Sequence, residues 1–225
     1  MSVTRNMPVL LGLIAVFGLA VVFAGADWRV PAANTGYAPE QPLAYSHRLH
    51  AGELGIDCTY CHFGARTSRH AGIPPADLCM NCHKTVSAGF DQVLQERELA
   101  LAEEREPNRI VSESIARLYA AVGLDEDLET LPGGPVPLDW VSVHNLPDFV
   151  AFDHRPHVAR GLACQTCHGP VQAMERMRQQ EDLSMGWCVN CHRSQSVDPA
   201  AGLTEVHDGL PSGEHVSTDC AICHY

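Results

Sequence analysis

The sequence Cys-x-x-Cys-His occurs five times in 225 residues and takes up all ten cysteines. The boxes open at Cys58, Cys79, Cys164, Cys188 and Cys220; their second cysteines are Cys61, Cys82, Cys167, Cys191 and Cys223, and their histidines are His62, His83, His168, His192 and His224. On one helical turn, residues i and i+3 share a side. Two such cysteines reach both vinyl groups of one porphyrin as thioethers, and the adjoining histidine reaches its iron as an axial ligand. The pattern therefore predicts five covalently bound haem c groups. A zinc knuckle, a disulfide framework or a thioredoxin-like redox pair also uses Cys-x-x-Cys, but none of these needs a histidine after every second cysteine.

So many porphyrins limit what the chain can fold into. Past the first 26 residues, each would have about 40 residues of protein around it, a span that buries little apolar core of its own. The porphyrins are then the core. The expected fold class is mostly α with extensive coil, a multihaem cytochrome c with class III-like haem repeats. Short helices carry the boxes, long loops cover the haem faces, few strands form, and one N-terminal transmembrane helix comes first.

Pro8 to Ala26 is nineteen residues without a charge. At helical rise this matches a bilayer hydrocarbon thickness of about 30 Å, and it exceeds the roughly 7 to 15 residues of a signal-peptide core. Residues 1–26 thus read as a transmembrane anchor. A cleaved signal is the competing reading, because Ala24-Gly25-Ala26 resembles a small-residue cleavage site. Haem c attachment belongs to the oxidising side of the membrane. The expected topology is a single pass through the cytoplasmic membrane, N-in, with the haem domain on the periplasmic side. Residues 27–44 carry Pro31, Pro39 and Pro42 without an apolar period and read as an extended linker. The net charge of −12, before haem propionates add to it, excludes nucleic acid and anionic lipid as partners and predicts a basic docking face on any partner that charge steers.

An internal duplication organises the remainder. Tyr45-Ser-His47-Arg-Leu-His50 aligns with Phe152-Asp-His154-Arg-Pro-His157, and the boxes that follow align with one residue of slip. Residues 45–84 form the first di-haem unit and 144–193 the second, whose repeat proper begins at Phe152. The segment 194–225 carries the fifth box. Between the units, 85–143 reads as a helical insert. An amphipathic helix runs from Phe90 to Glu106 and stops at Pro107, a second runs from Ile110 to Val122 and ends at Gly123, and Asp125 to Pro137 is loop. The Glu and Arg residues of the first helix read as a solvated face with i,i+4 pairing, or else as a contact surface for another subunit.

Five low-spin irons need five sixth ligands, and eight histidines lie outside the boxes. Four of them form the matched His-x-x-His pairs. Residues i and i+3 on a helix point to one side, so one pair can serve two haems that approach closely. His47 and His154 are assigned to the first haem of their own units, and His50 and His157 to a neighbouring or cross-unit haem. His70 and His144 are further candidates, while His207 and His215 read as surface residues of a loose tail. A thioether ligand raises the reduction potential relative to bis-histidine ligation. Met174, on a helix expected after Gly169-Pro170, is the methionine candidate, with Met177 behind it; packing against a haem edge is the alternative for both.

The stretches YSHRLHAGELGIDCTYCH, SRHAGIPPADLCMNCHK, VHNLPDFVAFDHRPHVARGLACQTCHG, MERM, LSMGWCVNCHR and DCAICHY together resemble the membrane-anchored pentahaem cytochrome c subunit of alternative complex III. The resemblance covers nearly the whole chain and is far more specific than Cys-x-x-Cys-His alone. The stretch from about Glu103 to Pro137 departs from it by being longer. The resemblance implies a quinol-oxidising respiratory or photosynthetic membrane complex without Rieske or cytochrome b chemistry. The implied partners are an iron–sulfur protein, integral quinol-binding subunits and a monohaem cytochrome, with a periplasmic carrier or a terminal oxidase as final acceptor. It also implies mostly bis-histidine haems and one histidine–methionine haem, which favours Met174.

These features predict an electron-transfer subunit, not an enzyme in itself. A nitrite- or hydroxylamine-type multihaem enzyme needs an open iron, often marked by an atypical proximal ligand. Here every box ends in histidine and the single lysine, Lys84, lies outside a box. A cytochrome subunit of another quinone-linked reductase is the remaining alternative, since potentials and partners set the direction of electron flow.

Overall fold

A computed structural model describes residues 7–25, 34–198, 202–205 and 214–224. In chain order the helices are α1 (Met7–Gly25), α2 (Cys58–Cys61), α3 (Ala76–His83), α4 (Phe90–Ala102), α5 (Glu113–Ala121), α6 (His154–Ala159), α7 (Gln165–His168), α8 (Met185–Ser194) and α9 (Cys220–Cys223). A π-helical turn, Arg48–Glu53, precedes α2, and 3-10 turns cover Phe63–Arg66 and Val171–Ala173. Most of these elements are one or two turns long. Among the described residues the buried apolar side chains are only Ala65, Ala100, Leu118, Tyr119 and Met174, so protein packing alone supplies little of what would hold the chain together.

The uncharged N-terminal stretch is helical over nineteen residues. Its side chains are described from 11 to 21, where they are exposed. Among the described residues no helix is long and apolar enough to cross a membrane. Of the linker, residues 34–44 are described, and they lie along the second unit. Gly36 N–H donates to the Gln179 carbonyl at 2.8 Å, and Gln179 N–H donates to Tyr37 at 3.0 Å. The Gln41 carboxamide both donates to and accepts from the Val141 backbone at 2.9 Å.

The insert differs from its sequence reading at both helix ends. α4 stops at Ala102, because Glu104 turns the chain through a left-handed φ of 52° and sends Arg105 back along the helix. There its guanidinium grips Glu96 with two bonds of 2.6 and 3.3 Å. α5 begins at Glu113, three residues later than Ile110, where the Ser112 hydroxyl accepts from Ile115 N–H. The insert docks on the second box through Tyr119. That side chain is fully buried and donates its hydroxyl to the His83 carbonyl at 2.6 Å.

Strands lie past the fourth box. β1 (Gln195–Asp198) pairs antiparallel with both β2 (Gly202–Glu205) and β3 (Glu214–His215), in the order β2-β1-β3. The tail is therefore not the loose coil its composition suggested. His215 sits on β3 opposite Ser196, and His207 lies outside the described residues.

Candidate haem sites

Each box is built on a short helical segment, and at the first, fourth and fifth boxes a side chain caps its start. Asp57 and Asp219, each just before a first cysteine, accept the backbone N–H two residues on, at 2.8 and 2.9 Å. Ser184 caps α8 by accepting from Trp187 N–H at 3.1 Å. Such a turn presents both cysteines of a box to one side. All ten cysteines are free thiols, which removes the disulfide reading. Among the described residues no three His, Cys, Asp or Glu side chains converge on one point. A zinc knuckle needs four.

The duplicated His-x-x-His segments fold alike. His47 opens the π-helical turn and His154 opens α6. In each unit one aromatic ring holds both imidazoles. Tyr45 meets His47 edge-on, at 4.9 Å and 85°, and stacks on His50 at 4.5 Å and 22°. Phe152 meets His154 at 4.8 Å and 82°, and His157 at 4.8 Å and 35°. Sequence reasoning recorded this aromatic position without giving it a role, although its recurrence two residues before each pair was the available signal.

Each of these four imidazoles faces the histidine of a box. Ring centroids are 6.5 Å apart for His47 and His62, 6.1 Å for His50 and His83, 6.4 Å for His154 and His168, and 6.1 Å for His157 and His192. These separations exceed stacking contact. Two imidazoles on opposite sides of one iron, each bonded at about 2 Å through a ring nitrogen, have centroids roughly 6 Å apart. Both partners of every pair come from the same unit, so the cross-unit option for His50 and His157 is not the one the fold adopts.

The other ring nitrogens show which atom is left for a metal. Nδ1 of His62, His83, His192 and His224 lies 2.6, 2.8, 2.7 and 3.2 Å from the carbonyls of Gly72, Val86, Ser217 and Phe149. Nδ1 of His50, His154 and His157 lies 2.9, 2.9 and 2.7 Å from those of Ser46, Arg69 and Asp153. A carbonyl only accepts, so each Nδ1 carries the proton and each Nε2 keeps its lone pair. Two positions differ: His47 Nδ1 is buried without a partner, and His168 Nδ1 meets His144. Burial first, then the neighbouring imidazoles, push both His47 and His168 down to about 4, which keeps them neutral. The donor set fits haem iron: a cysteine pair to hold a porphyrin edge, and neutral imidazoles aimed through Nε2.

The boxes also meet one another. Burial and then the Cys61 thiol raise Cys79, and burial and then Cys164 raise Cys58. Burial and then Cys191 and Cys188 push Cys167 up to about 11, while burial and then Cys223 raise Cys188. A thioether has no proton to lose, so what these shifts convey is proximity. Cys58 and Cys164 lie within hydrogen-bond reach, and the other pairs place box two near box one, box three near box four, and box four near box five.

The remaining candidates fall elsewhere. Met174 is 2% exposed, but its backbone is extended, since the expected helix is only the 3-10 turn Val171–Ala173 after Pro170. Its carbonyl accepts Arg48 N–H at 2.9 Å, which places it against the turn bearing His47 and His50. Met177 follows in coil, and His70 is exposed on a loop. His144 Nε2 approaches Nδ1 of His168, so it partners a ligand instead of facing an iron. The carbonyls that fix the imidazoles, Gly72, Val86, Phe149 and Ser217, carry no sequence signal.

Residues 150–225 match the family model for cytochrome c7 and related cytochrome c. That stretch holds the third, fourth and fifth boxes. Over that stretch the chain is similar to c-type cytochromes. The chain is also similar, at 22% identity over 227 residues, to the menaquinone reductase multiheme cytochrome c subunit of Nitratidesulfovibrio vulgaris strain Hildenborough. The similarity covers 92% of this chain and 87% of that relative, so it takes in both units and the insert between them.

Proposed function

We propose that this chain is a multihaem c-type cytochrome that conducts single electrons along five haem c groups, in the order box two, one, three, four, five, as a subunit of a quinone-linked membrane complex. The observation that carries the reading is that the histidine of each of the first four boxes faces a second imidazole at a centroid separation of 6.1 to 6.5 Å. Haem iron with axial histidines supplies one-electron Fe(III)/Fe(II) exchange. The proposed axial pairs are His47 with His62, His50 with His83, His154 with His168, and His157 with His192, while His224 serves the fifth site. The chain's residues hold each imidazole by its Nδ1 and ring face, so little has to move when the charge at a site changes. At those four sites two histidines would hold the iron, which favours transfer over turnover of a small substrate.

The uncharged stretch Pro8 to Ala26 is proposed, on its sequence, as the membrane anchor, N-in, with the haem domain on the periplasmic side. The stretches that resemble alternative complex III favour quinol oxidation, with electrons arriving from an iron–sulfur subunit and leaving to a basic periplasmic carrier or a terminal oxidase. The name of the Nitratidesulfovibrio relative favours a second reading, in which the same wire feeds a quinone reductase.

Gentle solubilisation of native membranes, purification of the cytochrome and mass spectrometry of what accompanies it test the assignment. An iron–sulfur subunit and polytopic quinone-binding proteins are the expected company, and purification as a lone chain would sink the reading. The direction follows from mixing the isolated complex with quinol or with quinone. Quinol alone should reduce the haems in the first reading, and quinone should oxidise pre-reduced haems in the second.

A further inference from the structure

Among the proposed axial histidines, one rests its Nδ1 on a side chain, while that of His47 is buried without a partner. Seven imidazoles rest their Nδ1 on backbone carbonyls. His168 rests its Nδ1 on a side chain, the Nε2 of His144, at 3.2 Å. The two rings meet edge-to-face at 86° with centroids 4.5 Å apart, and both are half-buried. His144 opens the second unit, 24 residues before His168, and the Ser142 hydroxyl donates to its carbonyl at 3.0 Å. With the Nε2 of His168 given to iron, its Nδ1–H is the donor, and His144 accepts through an unprotonated Nε2.

An imidazole nitrogen is a far more basic acceptor than an amide oxygen. It draws the Nδ1 proton outward, gives His168 more anionic character and makes it a stronger electron donor to its metal. A stronger axial donor stabilises the ferric over the ferrous state. We propose that His144 is a positioning residue that orients His168 and lowers the reduction potential of the iron at the third box. The inference rests on the reading of His168 as an axial ligand. Its place in the fold gives it a purpose: the third box joins the first unit to the second, so its potential governs passage between them.

The test uses the full-length cytochrome in its native complex, as H144A, which removes the acceptor, and as H144Q, whose carboxamide oxygen keeps one. Haem content by pyridine haemochrome, potentials by optical redox titration and electron paramagnetic resonance are compared with the wild type. The expected result for H144A is full haem content and a rise in one potential while the others stay. At a fixed poise the reduced-to-oxidised ratio at that site grows about tenfold, equivalent to about 59 mV for one electron. H144Q is expected to shift the same site less. Unchanged potentials in H144A with full haem content would overturn the proposal, as would loss of haem from both variants, which would make His144 a requirement for attachment. An H154A variant that leaves every haem low-spin would overturn the ligand reading beneath it, a separate failure read in a different variant.

Discussion

The ring planes of His154 and His168 lie 3° apart, at a centroid separation of 6.4 Å. His47 and His62, their counterparts in the first unit, repeat this at 8° and 6.5 Å. The second pair of each unit is turned instead: His50 and His83 by 51°, and His157 and His192 by 44°. The duplication thus preserves an alternation of parallel and tilted imidazoles, set by the edge-on and face-on contacts of Tyr45 and Phe152.

Imidazole planes govern the splitting of the ferric d orbitals. Parallel rings lift the degeneracy and give a rhombic low-spin resonance, while turned rings leave a larger maximal g value. The oxidised cytochrome is expected to show both classes in equal intensity from the four bis-histidine sites. A single class in electron paramagnetic resonance spectra would contradict the ring geometry.

Removing a distal imidazole should affect one site and leave attachment intact, because thioethers and iron ligation are independent bonds. His157→Ala is expected to turn one haem high-spin, to halve the tilted class and to leave covalent haem content unchanged. His47→Ala should instead halve the parallel class. Optical and paramagnetic spectra of the two variants check the pairing, which fails if both variants lose signal from the same class.

Much of this was legible in the chain, and the reason is chemical. A covalent cofactor demands fixed residue types at fixed spacing, so the five boxes read directly, and duplication exposes the His-x-x-His turns by their recurrence. What was not legible depends on where the chain returns after a loop. Gly72, Val86, Phe149 and Ser217 hold imidazoles by their carbonyls, which any residue could supply. Met174 looked like a ligand because methionine after a box can reach iron. Yet Pro170 and an extended backbone at Met174 end the expected helix after one 3-10 turn, and the residue packs at the first unit's distal turn. His144 carries the same residue type as the ligands, and only the meeting of two rings across 24 residues distinguishes it.

That distal turn also depends on a missing side chain. A Cβ on Gly52 would collide with the Gln172 carbonyl oxygen, a backbone atom of the 3-10 turn that cannot swing aside. Ser46 and Arg48 bind Glu175 at 2.8 and 2.9 Å across the same junction, so the two segments cannot simply separate. Gly52→Ala is expected to cost about 1–3 kcal/mol by overpacking and to disturb both His47 and His50. Gly55→Ala has open space around it and strains only its φ of 65°, for roughly 1 kcal/mol. Thermal unfolding followed by haem absorbance compares them, and equal losses would show that the close approach is not limiting.

The insert should loosen in acid through one carboxylate. The Glu96 side chain is 10% exposed and accepts from the Arg105 guanidinium at 2.6 Å and from Asn108 N–H at 2.7 Å. The hydrogen bond from Arg105, then that from Asn108, holds its pKa below the ordinary carboxylate range. A depressed carboxylate contributes stability that is fully present above its unfolded value of about 4.3 and is lost as pH falls through the lower folded value. Amide exchange over residues 104–112, corrected for intrinsic rates, should therefore show protection at neutral pH that declines once the pH drops below about 4. Glu96→Gln removes the charge that grips Arg105, so its protection should already be reduced at pH 7 and should lack this acid-dependent component. If wild type and variant lose protection with the same pH slope, the fold-back of Arg105 onto α4 is not what secures the turn between the two insert helices.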